Sequence, residues 1–196
     1  MNARNANVEP AKLSGLIQKA REGDIGSFQK IYEAFAHKIL NFIYRMVNSP
    51  QEAEDLTQET FIAVYQKLGT LKDSEKFEPW LFRIARNFVY QKYRNKIPPS
   101  VPLDAPDEDG QIGIQLADTR KNPDEAFQSQ ELEKVVSDVI AGLPDKYREV
   151  FILSAIQNLS YEQIAEIVGR SLASVKTDIH RARLVVRDLV KNYLKA

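Results

Sequence analysis

The sequence predicts an all-α protein with two small helical domains joined by an irregular acidic linker. Three observations support this fold class. Apolar residues recur at helical spacing in almost every periodic segment. No strand pattern or internal repeat stands out along the chain. Between residues 98 and 123 there are five prolines, several acids and no amphipathic period, as is typical of a linker. We therefore expect domains at 1–97 and 124–196, with a flexible acidic linker at 98–123.

The first domain is expected to begin with three helices. A short helix covers 13–20 and a long one covers about 28–46, because apolar residues recur there at i, i+3 and i+4. Ser49 and Pro50 begin a third helix that runs to about Leu68. Serine caps a helix start, and proline suits the first helical position.

The fourth helix of this domain is expected to span Pro79 to Lys96. A loop over 69–78 precedes it. Pro98 and Pro99 end it, since proline cannot continue the hydrogen-bond ladder of a helix.

The second domain is expected to contain two helices followed by a helix-turn-helix. Apolar residues at 127–140 define one helix, and Gly142 to Pro144 separate it from a second at about 147–153. Gly169 and Ser171 then mark the turn between the last two helices, since glycine ends a helix readily and serine caps the next one.

The start of the helix-turn-helix also carries a capping box. Ser160 can accept from the backbone three residues on, and Gln163 can bond back. Such a unit places its second helix in the DNA major groove. Many capped helical pairs never touch DNA, so charge must decide. From Arg170 onward the chain carries seven lysines and arginines against two aspartates, which favours duplex DNA, because neutralising phosphates supplies most sequence-independent affinity.

Composition limits the remaining classes of function. The chain has 196 residues, 43% of them hydrophobic, so packed cores are expected. It has no cysteine, which excludes disulfides and thiolate metal sites and fits a reducing cytoplasm. No apolar run is long enough to span a membrane, and residues 1–10 lack the apolar core of a signal peptide. We expect a cytoplasmic protein without a membrane span.

The formal net charge of zero hides a strong segregation of charge. The helix at 79–96 has five basic residues and no acid, whereas 104–125 has seven acids against two bases. Two basic segments therefore flank an acidic one, a pattern that suggests two nucleic-acid contacts joined by a solvated tether.

The third helix presents a stripe opposite its apolar face. Asp55, Glu59, Ile62 and Gln66 recur at i, i+4, i+7 and i+11. An isolated apolar residue on a solvated face is common. The alternative is a docking strip for a basic partner with Ile62 at its centre, and the sequence leaves both interpretations open.

The fourth helix presents a stripe of basic and aromatic residues. Arg83, Asn87, Tyr90 and Arg94 align on one face, and Arg86 lies beside them. Cations that follow phosphates and rings that stack on bases are the features that single-stranded nucleic acid requires. Trp80 lies at the border of the stripe, where we expect it to fill the core.

Together these motifs resemble those of the sigma-70 family of bacterial RNA polymerase sigma factors. Within that family they are most similar to the extracytoplasmic-function (ECF) class. In the first domain the resemblance rests on Glu54-Asp55-Leu56-Thr57-Gln58-Glu59-Thr60-Phe61 and Phe77-Glu78-Pro79-Trp80-Leu81-Phe82-Arg83-Ile84-Ala85-Arg86-Asn87. In the second it rests on Leu143-Pro144-Asp145-Lys146-Tyr147-Arg148, on 159–165 and on 175–183. It covers nearly the whole chain apart from the N-terminal tail and the linker.

The resemblance implies that the first domain is sigma region 2. The third helix would dock on the β′ clamp helices of core RNA polymerase, and the fourth helix with its preceding loop would melt the −10 element and hold its non-template strand. The implied polymerase-binding residues are Asp55, Gln58, Glu59, Ile62 and Gln66. The implied −10 residues are Lys76, Phe77, Trp80, Arg83, Arg86, Asn87, Tyr90 and Arg94.

The resemblance also implies that the second domain is sigma region 4, which would meet the β flap and read the −35 duplex. The implied −35 residues are Arg170, Ser171, Ser174, Lys176, Thr177, Asp178, His180, Arg181 and Arg183. The linker would thread toward the RNA exit path. Partners of the family are core polymerase, duplex and single-stranded promoter DNA, and often an anti-sigma factor.

Two residues depart from the family pattern. Pro79 replaces a small polar residue before the tryptophan, and it should stiffen the start of the helix. Asp178 stands where many relatives have arginine. A carboxylate there could accept from a cytosine amino group, or pair with Arg181 or Lys176.

The expected function is that of an ECF sigma factor, a DNA-binding transcription initiation factor that needs no cofactor or metal and is not an enzyme. A stand-alone DNA-binding regulator is the alternative, but it leaves both stripes of the first domain unexplained. A carboxylate metal enzyme is disfavoured, because neither His37 nor His180 follows a glutamate by three residues.

Overall fold

The computed structural model describes residues 9–96 and 135–193, and every regular element in these two ranges is helical. The predicted linker at 98–123 and the predicted start of the second domain lie outside the described residues. The all-α fold class is confirmed for the part of the chain that the structure describes.

Within residues 9–96, the first domain contains four α-helices. They are α1 (Pro10–Arg21), α2 (Ile25–Val47), α3 (Pro50–Lys67) and α4 (Phe77–Lys96). Two 3-10 turns, Leu68–Thr70 and Ser74–Lys76, connect α3 to α4. The predicted cap of α3 is confirmed, since the Ser49 hydroxyl accepts from the backbone N–H of Glu52 at 3.4 Å.

The predicted start of α4 at Pro79 is wrong by two residues. The helix begins at Phe77, and Pro79 lies in its first turn. Proline is tolerated there because the first backbone N–H groups of a helix have no partner within it. The aromatic ring of Phe77 is buried, and this anchors the earlier start in the core.

The core of the first domain lies along α2. This helix buries a continuous face and packs it against α3 and α4. Phe42 meets Phe82 of α4 edge to face, with ring centroids 5.4 Å apart. Burying a phenylalanine stabilises the fold by about 1.5–3 kcal/mol relative to leaving it exposed. The core therefore fixes α4 with the opposite face turned outward.

Within residues 135–193, the second domain contains four further α-helices. The described part of α5 covers 135–141, and α6 (Asp145–Phe151), α7 (Tyr161–Val168) and α8 (Leu172–Tyr193) follow. A π-type turn, Ile152–Ile156, extends α6. The guanidinium of Arg148 donates to the carbonyls of Ile140, Ala141 and Leu143, and so it satisfies the end of α5.

The signals that predicted the helix-turn-helix are confirmed. The Ser160 hydroxyl accepts from the N–H of Gln163 at 3.2 Å, and the Gln163 side chain accepts from the N–H of Ser160 at 2.9 Å. Gly169 has a φ of 70°, the left-handed conformation that ends α7. Ser171 then accepts from the N–H of Ser174 at 3.2 Å and caps α8.

The two domains pack directly against each other, with α4 on α7 and α2 on α6. Their buried apolar residues form one continuous cluster. Polar contacts also cross the boundary. The carbonyl of Met46 accepts from Arg148 Nη1 of the second domain at 3.4 Å, and also from Tyr93 Oη of its own domain at 2.5 Å. The side chains of Lys76 and Glu166 approach to 3.7 Å. The sequence predicted tethered domains, and the structure adds a shared interface between them.

Candidate nucleic-acid and polymerase interfaces

The helix-turn-helix presents one face of α8 to solvent. The other face carries Val175, Ile179 and Ala182, which are buried where α8 packs against α6 and α7. The exposed residues among the predicted −35 set are Ser171, Lys176, Thr177, His180, Arg181 and Arg183. Ser174 is half-buried at the helix start. Basic side chains thus dominate the outward face, as a surface facing phosphates requires.

The prediction that Asp178 faces the DNA is wrong. Its side chain is only 3% exposed. Its carboxylate binds the guanidinium of Arg170 at 2.5 Å and lies 3.7 Å from the ammonium of Lys146, rather than pairing with Arg181 or Lys176. Asp178 therefore ties the turn and α6 to α8 from inside the domain, where it cannot contact a base.

The predicted −10 residues divide into an exposed and a buried group. The side chains of Lys76, Arg83, Asn87 and Arg94 are exposed, as expected. Phe77 is fully buried and packs edge-on against Phe35, so its prediction as a DNA-contacting residue is wrong. The hydrophobic ring serves the core instead. Trp80 is half-buried and packs on the same core, with its ring centroid 6.0 Å from that of Phe77.

Arg86 and Tyr90 contact a carboxylate of the other domain. Arg86 Nε binds Glu149 Oε1, and Tyr90 Oη donates to Glu149 Oε2 at 3.2 Å. The guanidinium of Arg86 also lies over the Tyr90 ring, 4.5 Å from its centroid. Arg170 approaches the same carboxylate at 3.9 Å. Sequence reasoning missed Glu149, because an acid in the middle of a short helix gives no signal of a partner in another domain.

The environment of Glu149 perturbs two proton affinities. Its side chain is only 1% exposed. Burial raises the pKa of Glu149, and this effect outweighs the opposing influence of the guanidinium groups of Arg86 and Arg170. Burial, followed by the negative charge of Glu149, raises the pKa of the Tyr90 hydroxyl. At neutral pH, Tyr90 is therefore a hydrogen-bond donor.

The predicted polymerase-binding residues form an exposed strip on α3. The residues Asp55, Gln58, Glu59, Ile62 and Gln66 are all solvent-exposed. Ile62 is 59% exposed and lies among the charged and polar side chains of this strip. Tyr65 and Tyr32, which sequence reasoning missed, are exposed apolar neighbours that pack edge-on against Phe28 and Phe61. The spacing of three residues between Ile62 and Tyr65 was the available signal.

The described residues contain no cluster of three or more side chains suited to binding a metal ion. Nor does any helix in the two described ranges combine the length and the apolar character needed to cross a membrane.

Two family profiles match the chain in the order of its domains. The profile of sigma-70 region 2 matches residues 31–96, and that of sigma-70 region 4 matches residues 134–185. The ECF RNA polymerase sigma factor SigW of Bacillus subtilis is 36% identical over 180 residues, covering 90% of this chain and 95% of that protein. The RNA polymerase sigma-H factor of Pseudomonas aeruginosa is 31% identical, covering 92% of this chain and 94% of that protein.

Two solved structures share the fold. CnrH in complex with the cytosolic domain of CnrY has a TM-score of 0.69 and 22% identity, covering 92% of this chain and 98% of that one. The sigma factor RpoE from Bartonella quintana, in complex with the anti-sigma factor NepR, has a TM-score of 0.63 and 21% identity, covering 85% and 98%. The two profiles and the relatives of 30% identity or more show that the chain belongs to the sigma-70 family of RNA polymerase sigma factors, in its ECF class.

Proposed function

We propose that this sigma factor binds core RNA polymerase and directs it to promoters by reading the −35 duplex with α8 and opening the −10 element with α4. One observation carries the proposal. The two matched sigma regions each present an exposed basic helix face, and an acidic strip with an apolar centre lies on a separate helix. A chain that only bound duplex DNA would need neither of the two surfaces of the first domain.

Duplex recognition is assigned to the exposed face of α8. Lys176, Arg181 and Arg183 would contact phosphates, and Thr177 and His180 lie between them, where a helix in the major groove meets base edges. Arg170 and Ser171 lie at the start of α8, close to where a backbone phosphate would approach. Asp178 supports this face from behind through its bond to Arg170.

Strand opening is assigned to the exposed side of α4. Arg83 and Arg94 would follow the phosphates of the non-template strand, and the exposed side-chain amide of Asn87, which lies between them, would hydrogen-bond a base. Trp80 offers the exposed part of its ring at the start of the helix. Extruding a base from the duplex costs a few kcal/mol, which binding must offset. The protein would thus open DNA through binding free energy, without a catalytic step of its own.

Polymerase docking is assigned to the α3 strip. Ile62 supplies apolar contact area, and Asp55 and Glu59 supply charge for a basic partner surface. Tyr65 and Tyr32 extend the apolar centre of this surface. The protein would act in the cytoplasm, where sigma factors meet DNA. An anti-sigma factor is a further proposed partner, because RpoE of Bartonella quintana shares this fold and was solved with one.

Transcription with core polymerase tests the proposal. Transcription starts that appear on overexpression of the chain would first be mapped, and the promoters found would then serve in run-off assays with purified core enzyme. We expect specific starts only when the chain is added. If the chain neither binds core polymerase nor initiates transcription, the proposal fails. Tight duplex binding in the absence of any polymerase effect would instead indicate a stand-alone regulator.

A further inference from the structure

Glu149 holds DNA-binding candidates of both domains at once. Its carboxylate binds Arg86 and Tyr90 of the first domain, and it lies 3.9 Å from Arg170 of the second. The first two belong to the predicted −10 set and the third to the predicted −35 set. No other acid in the described ranges is both as buried as Glu149 and bonded to the opposite domain.

The chemistry of this contact matches that of a phosphate contact. A guanidinium and a phenolic hydroxyl that donate to two oxygens of one anion can serve a carboxylate or a phosphate equally well. The donors of Arg86 and Tyr90 that bind Glu149 are therefore unavailable to a nucleic-acid backbone while the domains stay packed. The Glu149 carboxylate and a DNA phosphate would therefore bind the same donors of Arg86 and Tyr90.

We propose that Glu149 is an internal competitor for promoter DNA. While α4 and α6 are held together, its carboxylate occupies Arg86 and Tyr90 of the first domain. Separation of the two domains transfers these two groups to phosphates, whereas Arg170 stays with Glu149 and Asp178 in the second domain. The inference rests on the proposed function, since it assigns the regulation of the same DNA-binding surfaces.

The surrounding contacts allow such a separation. The side chains of Arg86 and Arg170 are 24% and 25% exposed, so water can reach both guanidinium groups as the contact breaks. The ion pair between Lys76 and Glu166 lies at the surface, where such pairs contribute about 0–1 kcal/mol. Without Glu149, the ion pair that joins Arg86 to the second domain would be lost. Removal of this carboxylate should therefore favour the open arrangement.

The first experiment measures the separation of the domains. The chain has no cysteine, so Lys30→Cys in the first domain and Asp188→Cys in the second allow a donor and an acceptor dye to be attached. Energy transfer would be compared between the parent chain and Glu149→Ala, with Glu162→Ala as the matched control. Glu162 is an exposed acid of α7.

A second variant covers the case in which Glu149→Ala fails to fold. Glu166→Lys reverses an exposed charge opposite Lys76, so it loosens the interface by repulsion without disturbing a core. Its control is Glu162→Lys, which makes the same charge change one turn earlier on α7. This control also corrects for the affinity that any added lysine gains for DNA.

The second experiment measures binding of a fluorescein-labelled oligothymidine of about 12 nucleotides, a length within the usual span of single-strand sites. If about a tenth of the parent chain is open, opening raises the apparent affinity about tenfold. We expect lower energy transfer in Glu149→Ala and Glu166→Lys than in their matched controls, and tighter oligothymidine binding than each matched control shows.

Unchanged energy transfer in both interface variants would overturn the proposal, and so would opening without any gain in oligothymidine affinity over the matched control. The energy-transfer measurement uses the free chain. A failure of the proposed function, seen as no binding to core polymerase, is therefore distinguishable from a failure of the inference.

Discussion

Two buried carboxylates, Glu149 and Asp178, organise the basic residues at the centre of the molecule. Burying an ionised carboxylate without a partner is costly, and both acids are bonded to arginines. Arg170 lies between them, 2.5 Å from Asp178 and 3.9 Å from Glu149. At the scale of single residues, buried acids hold the side chains of the arginines that are proposed to bind DNA.

The pKa of Glu149 predicts a pH-dependent contribution to stability. Because burial raises this pKa, the folded chain holds the proton more tightly than the unfolded chain does. The stabilisation is complete below the unfolded-state pKa and is lost as pH rises through the folded-state value. We expect the free energy of unfolding of the parent chain to rise relative to that of Glu149→Ala as pH falls from neutral. Urea unfolding at a series of pH values measures this difference.

The exposed variant Glu162→Ala is the control, and it should follow the parent chain at each pH. A difference between the parent chain and Glu149→Ala that stays constant or shrinks on acidification would contradict the assigned direction of the pKa shift.

Side-chain exposure could be predicted from the sequence where helical periodicity is strong. Arg83, Asn87 and Arg94 are exposed because the apolar residues of α4 fix the opposite face. Asp178 was misplaced although a signal was present. Its neighbours Val175, Ile179 and Ala182 are core residues at positions −3, +1 and +4, which place Asp178 at the edge of the buried face. The charge of Asp178 led to the prediction that it faces solvent and DNA. In the structure it is buried and bonded to Arg170.

At the scale of elements, α8 and α3 each combine a core face with a functional face. Both helices begin at a serine cap that the sequence revealed, and both turn their charged side chains outward. The helix starts were less predictable where no cap stands. Helix α4 starts two residues early because the buried ring of Phe77 outweighs the proline signal. Local capping chemistry is thus readable from sequence, whereas a start fixed by packing is not.

The exposed face of α8 predicts a salt-dependent loss in Arg181→Ala. A phosphate contact removed from duplex DNA lowers the magnitude of the slope of log K against log salt by about 0.9. We expect weaker binding of a duplex carrying a mapped promoter, together with this reduction in slope. Fluorescence anisotropy at several salt concentrations measures both. Arg187→Ala, an exposed arginine of α8 outside the −35 set, is the control. An unchanged salt slope would remove Arg181 from the phosphate contacts.

The α3 strip predicts that Glu59→Ala weakens core polymerase binding and leaves duplex binding intact. Loss of a carboxylate that faces a basic partner typically costs about 1–3 kcal/mol when the contact is desolvated. Titration of labelled chain with core enzyme measures the first effect, and promoter-duplex anisotropy measures the second. Glu22→Ala removes an exposed acid from the end of the first helix as a control. Equal losses in both assays would argue against separate surfaces.

At the scale of the whole molecule, the two domains share one apolar cluster. Sequence patterns predicted both domains and their order, which the sigma region 2 and region 4 profiles match. They did not predict the interface. Periodicity shows that a residue is buried but not which element covers it, and α4 must be covered both by its own domain and by α7. The partners of Arg86 and Tyr90 are therefore a property of the assembled chain.

This closed arrangement predicts that separating the two domains costs free energy when core polymerase binds. If polymerase engages the two domains at separated sites, it selects the open fraction, and its apparent Kd equals the intrinsic Kd divided by that fraction. We expect energy transfer between dyes at Lys30→Cys and Asp188→Cys to fall when core enzyme is added to the parent chain. Glu149→Ala should begin with lower transfer, show a smaller fall and bind core enzyme more tightly, whereas Glu162→Ala should behave as the parent chain does. If core enzyme binds while the transfer stays high, the domains remain packed on polymerase, and Glu149 then keeps its hold on Arg86 throughout initiation.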